Sequence, residues 1–188
     1  MRALGRQVSD AALAWAGLLA LLGLWMLGAH NRVTALRATL LGAWAQVDAV
    51  LQARGKALAT LLGALGEPLE AESAALDAVA AAQAQLQTAA EAVRRTPVAQ
   101  QPVADLGKAD AVLGAVLVRL VALIEQRPAL LADPALAAPL QVLRDSPAQL
   151  AFARQLFNDA GAAYNQATTQ FPTRLLRSVL RFGTAGRL

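Results

Sequence analysis

The 188 residues include no cysteine and a single histidine, His30, so neither a disulfide framework nor a thiolate metal site can be built. Aromatic residues at 4% and a net charge of only +4 argue against a nucleic-acid binder, which needs basic residues interleaved with stacking rings. Alanine and leucine dominate and β-branched residues are sparse, a balance that favours helices throughout.

A short polar N-terminus, 1–10, precedes the apolar run AALAWAGLLALLGLWMLGA at 11–29. As a helix the run spans ~28 Å, close to the ~30 Å hydrocarbon core of a bilayer. Asp10 precedes it and His30, Asn31 and Arg32 follow, so both ends carry groups that resist burial. A cleaved secretory signal would have a shorter apolar core of ~7–15 residues and small side chains before the cut. Here Leu27, three residues before a hypothetical cut after Ala29, is bulky. The expectation is an uncleaved transmembrane anchor, with Leu18 and Leu22 in lipid and Trp15 and Trp25 toward the two interfaces.

Four long helices are expected beyond it. The first covers 31–65 and continues out of the anchor, with Leu36, Leu40, Ala43, Val47, Val50, Ala57, Leu61 and Ala64 as its apolar stripe. Gly66-Glu67-Pro68 breaks it. The second, 69–93, places Leu69, Leu76, Val79, Leu86, Ala90 and Val93 on one face. A proline-bounded loop at 96–102 leads to a third, about 103–126, striped by Leu106, Ala109, Leu113, Val116, Leu120 and Leu123. Pro128, Pro134, Pro139 and Pro147 then interrupt the pattern, leaving room for one short helix near 135–144. Asp145-Ser146-Pro147 reads as an N-cap followed by proline at the first helical position. The fourth helix keeps its rhythm through Leu150, Ala153, Phe157, Ala160, Tyr164, Ala167 and Phe171, and ends at Pro172. Short connections between long amphipathic helices predict antiparallel neighbours. The expected fold is all-α: one transmembrane helix, then an up-down bundle at 30–172.

Arg154, Asn158, Gly161, Asn165 and Thr168 form a second stripe beside the Phe157–Tyr164–Phe171 seam, and Arg54 interrupts the apolar stripe of the first helix. Trp44, Asp48, Arg54, Arg154, Asn158 and Asn165 are therefore the candidates for a buried polar network that fixes register, or for a partner-binding groove. Past Asp159 no acidic residue remains, yet Arg174, Arg177, Arg181 and Arg187 follow. On a helix the first three share one face, with Phe182 and leucines opposite. The segment 173–188 is expected to be a basic amphipathic tail lying on an anionic lipid surface.

Several of these residues resemble the LemA family of bacterial membrane proteins. At the end they are Arg154, Phe157-Asn158, Tyr164-Asn165, Phe171-Pro172 and Arg181-Phe182-Gly183. Near the start they are Asn31 and Ala43-Trp44-Ala45-Gln46-Val47-Asp48 with Leu51, Gln52 and Arg54. Glu125 and Pro128 with Leu130 resemble a central turn of the family. Departures from its pattern are Phe157 and Arg127 in place of tyrosines, a 56–62 stretch lacking the usual proline and asparagine, and Pro139 and Pro147. The resemblance implies a transmembrane helix, a helical bundle and no recognised catalysis.

No catalytic, cofactor-binding or metal-binding residue is expected. A metal site would have to come mostly from carboxylates, and no Glu-x-x-His pattern occurs. Ser9, Ser73, Ser146 and Ser178 lack a histidine in reach, and no glycine-rich phosphate loop is present. The favoured function is a membrane-anchored scaffold contacting lipid and other membrane-associated proteins, with homo-oligomerisation left open and no nucleic acid. A transmembrane sensory relay is the alternative. Arg2 and Arg6 on one side of the anchor nearly balance Arg32 and Arg37 on the other. The tail and the family resemblance lean the expectation to the inner membrane of a bacterial cell, with a cytoplasmic bundle.

Overall fold

The computed structural model describes residues 2–170 and 184–188, with side chains from Trp15 onward. Five helices account for most of it: α1 (Arg2–Leu65), α2 (Ser73–Arg95), α3 (Gln100–Glu125), the single turn α4 (Pro128–Leu131) and α5 (Pro134–Thr169). A 3₁₀ turn, Glu70–Glu72, sits in the bend before α2. The four long helices pack antiparallel, α1 chiefly against α5 and α2 against α3.

Heptad spacing explains the packing. Besides Val33, Ala43 and Ala57, α1 buries one row through Leu40, Trp44, Val47, Leu51, Arg54, Leu58, Leu61 and Leu65, alternating four and three apart. Leu76, Val79, Gln83, Leu86, Ala90 and Val93 do the same on α2, and Leu106, Asp110, Leu113, Leu120 and Ile124 on α3. On α5 the seam runs through Leu150, Ala153, Phe157, Ala160, Tyr164 and Ala167. Burial of this continuous core, at about 25 cal/mol per Å² of apolar surface, is the main stabilising term. Of the expected α1 stripe, Leu40, Ala43, Val47, Ala57 and Leu61 are buried and Leu36 and Val50 partly so, while Ala64 is exposed. The buried face is wider than expected and also takes in Trp44, Arg54 and Leu58.

The fourth helix departs most from its sequence reading. The short helix and its successor are one, α5, running unbroken across Pro139 and Pro147. Its N-cap is Asp133, not Asp145: the Asp133 carboxylate accepts from the Ala135 N–H at 2.8 Å, with Pro134 in the first turn. Asp145 instead accepts from Gln141 one turn earlier. Pro147 lacks the N–H that would bond the Leu143 carbonyl, and the buried Ser146 hydroxyl donates to that oxygen at 3.1 Å. Ser146→Ala should therefore cost about 1–3 kcal/mol by leaving a buried carbonyl unpaired. Adding Pro147→Ala, which returns an N–H, should recover that loss in a thermal melt.

α1 is continuous from the apolar run into the bundle, whose core begins at Val33. Among the described residues no helix is long and apolar enough to cross a membrane. The expected anchor over 11–29 is thus not shown by the fold. Its first side chains, 11–14, lie outside the described residues, and the remainder, 15–29, reaches only ~22 Å at ~1.5 Å per residue.

Candidate functional site

A charged centre sits halfway along the bundle, where three seams each carry a polar residue: Arg54, Gln83 and Asp110. The Asp110 carboxylate accepts from a terminal nitrogen of Arg54 and, at its other oxygen, from Arg154 at 2.5 Å. Arg54 is 4% exposed and Asp110 8%, so one carboxylate is shared by two guanidinium groups with little water present. Both Nε atoms, of Arg54 and Arg154, are buried without a partner, as is the Gln83 carbonyl oxygen. Beside the centre, between α3 and α5, lies a groove of about 510 Å³ walled by Leu117, Val121, Leu143 and Leu150.

Trp44 and Asp48 lie elsewhere. Trp44 packs edge-on against Phe157, with ring centroids 6.2 Å apart. Asp48 accepts from Arg94 of α2 at 2.7 Å and from Gln52 at 2.8 Å, joining α1 to α2 at an exposed edge. Hydrogen bonds from Arg94 to Asp48 and Glu91 hold its guanidinium above the usual arginine range, and the bond from Arg94 pulls the Glu91 carboxyl below its ordinary value.

Asn158 and Asn165 face neither arginine. Each side-chain amide pairs with the backbone of one C-terminal residue. Asn165 donates to the Ala185 carbonyl at 3.1 Å and accepts from the Ala185 N–H at 2.7 Å. Asn158 does the same with Leu188, at 2.9 Å in both directions. The stripe from Arg154 to Asn165 therefore serves two separate sites: a charged centre and a clamp on the chain's own end. Arg174, Arg177, Arg181 and Phe182 lie outside the described residues.

Asp110 and Gln83 escape a reading of the sequence. An apolar template steps past Asp110 onto Ala109 and passes from Val79 straight to Leu86 across Gln83, and the only signal is their place in an otherwise regular three-four spacing. Arg127, which stands where a tyrosine is usual in the LemA pattern, donates to the Pro68 carbonyl and to Glu72. It thereby ties the end of α3 to the bend between α1 and α2. Among the described residues no group of three or more metal-ligating side chains occurs.

A family model described as the LemA family matches residues 43–187, more than three quarters of the chain. No curated protein matches it.

Proposed function

Because this chain belongs to the LemA family, we propose that it is a membrane-anchored helical scaffold that holds other proteins at a lipid surface and has no catalytic role. The observation that carries this reading is the arm formed by the first half of α1. Trp15, Leu18, Leu19, Leu21, Leu22, Leu24, Met26 and Leu27 are all at least 40% exposed, and they point to every side of the helix. Leaving a leucine in water rather than burying it forgoes about 1.5–3 kcal/mol. An apolar surface on all faces suits lipid better than the groove of one protein, which would cover a single stripe. Together with residues 11–14 the arm attains the ~28 Å a bilayer requires.

The non-catalytic part rests on chemistry. Guanidinium groups remain protonated and are poor acid–base catalysts, and the Asp110 carboxylate is engaged on both oxygens. The Ser146 hydroxyl is buried and donates to its own helix. In this reading the bundle is cytoplasmic, at the inner membrane of a bacterial cell. In the same reading Arg174, Arg177, Arg181 and Phe182 add contacts to anionic headgroups. Expressed in bacteria, the full chain should stay in the membrane pellet through alkaline carbonate extraction, and reporters fused at each end should place its C-terminus in the cytoplasm. Release by carbonate would sink the reading. The sensory-relay alternative has one observation in its favour, the unbroken run of α1 from the arm into the core.

A further inference from the structure

The two asparagines of α5 form a receptor for extended polypeptide. Each presents an amide whose N–H and C=O pair with the C=O and N–H of a single residue, as a neighbouring strand does in an antiparallel sheet. They stand seven residues apart, two helical turns or ~10.5 Å. The residues they hold, Ala185 and Leu188, are three apart. An extended chain with three residues per turn and ~3.1 Å of rise covers ~9 Å in that interval and turns the same edge back to the helix, which a flat strand of period two would not. Helix and segment are thus in register, and the register depends on backbone alone.

Selectivity comes from between the two pairs. A Cβ on Gly186 would lie 2.8 Å from the Val103 Cβ and 3.0 Å from the Gln100 Cα, so that position admits only glycine. Ala185 is buried against Gly161, Arg187 is exposed, and Leu188 packs partly on the core. The segment brings few apolar atoms to a core that Phe157 and Tyr164 already fill. Its contribution is chiefly four hydrogen bonds, each replaceable by the same bonds from another chain.

We propose that this clamp is a binding site for an extended segment of a partner protein with the pattern small residue, glycine, any residue, apolar residue, and that residues 184–188 occupy it in cis as a competitor. This names the partner chemistry of the scaffold proposed above and rests on that reading. The clamp can nevertheless be tested on detergent-solubilised protein, independently of whether the chain is membrane-bound. A tethered segment acts at an effective concentration on the order of millimolar. Weak self-binding therefore keeps the site closed until a better ligand arrives.

The probe is a fluorescein-labelled peptide, Thr-Ala-Gly-Arg-Leu with an amidated C-terminus so that its last oxygen is a carbonyl as in an internal segment, read by anisotropy against the full chain. Gly186→Val should eject the cis segment and bind the peptide at least tenfold more tightly than the unaltered chain. A chain ending at Gly183 should behave alike, which covers the case of a valine that stays seated. Adding Asn158→Asp, which keeps the shape but removes the donor to the peptide carbonyl, should weaken binding at least tenfold while helix content and melting stay unchanged. A peptide with valine for glycine should not bind. The proposal is overturned if both emptied variants bind no better than the unaltered chain, or if Asn158→Asp leaves binding intact. It is also overturned if the unaltered chain sediments as a dimer that the peptide dissolves, since the occupant is then a second copy.

Discussion

Replacing Asp110 with alanine is expected to destabilise the bundle by about 3–5 kcal/mol, the usual cost of removing one partner from a buried ion pair. For a chain of this size that lowers the thermal midpoint by roughly 6–20 °C. The size follows from the unpaired charge that stays behind in the core rather than from the two hydrogen bonds that are removed. Arg154 keeps 30% of its side chain exposed and can turn its charge to water, whereas the Arg54 side chain is 5% exposed and cannot. Asp110→Asn retains an acceptor and should cost less. Replacing all three residues by Arg54→Met, Asp110→Leu and Arg154→Met should be neutral or stabilising by ~1–4 kcal/mol, because no charge then remains to be desolvated. Calorimetric melts of the three variants separate the cost of an orphaned charge from the net worth of the centre. A midpoint for Asp110→Ala within a degree or two of the parent would show that the charges do not hold the helices together.

The centre has a role that stability alone does not capture. Regular seams of aliphatic side chains, such as that of α2, distinguish one register from the next only weakly, since one aliphatic knob fits much the same holes as another. One carboxylate between two guanidinium groups fits only when α1, α3 and α5 are aligned at a single level. Gln83 of α2 stands at that level too: a Cβ on Gly55, next to Arg54, would lie 2.7 Å from its amide nitrogen. The polar layer therefore sets the vertical alignment on which the clamp depends. Gln100 and Val103 of α3 meet Gly186 only if α3 is at the right height against α5.

The all-helical class, the order of the four long helices and the breaks after α1 and α2 were legible because they depend on local chemistry. Gly66-Glu67-Pro68 ends α1, Thr96-Pro97 separates α2 from α3, and the three-four rhythm of α5 is unambiguous from Leu150 onward. Pro147 misled because a proline in a helix is ordinarily read through its own missing donor. The compensating hydroxyl of Ser146 belongs to the neighbouring residue and becomes visible only when its direction is known. Asp110 was illegible for a different reason: a carboxylate on α3 looks solvated until two arginines from other helices reach it. Arg54 and Arg154 stand out as breaks in otherwise regular stripes, but no local pattern says that they share a partner. Asn158 and Asn165 are conspicuous for their spacing, yet their ligand lies 20–30 residues further along the chain. Phe157 needs no hydroxyl where it stands, fully buried and edge-on to Trp44, so the tyrosine of the family pattern is dispensable there.

Two arginines in the arm, Leu18→Arg with Leu22→Arg, are expected to move the chain from the membrane pellet to the carbonate-soluble fraction. The positions are four residues apart and so share one helix face near the middle of the 11–29 run. Each arginine at the centre of a spanning helix costs about 2.5–3.5 kcal/mol on the insertion scale, roughly 5–7 kcal/mol together. Long side chains that reach toward the headgroups reduce this, but two on the same turn compete for the same relief. Leu18→Ala with Leu22→Ala shortens the same side chains without adding charge and should leave the protein in the pellet. The bundle should melt at the same temperature in all three proteins, because the core starts at Val33, well beyond the altered turn. A doubly charged arm that still resists carbonate would mean that protein rather than lipid covers it. A lowered melting temperature would mean that the covering protein is the bundle itself, and in either case the scaffold would lose its tether.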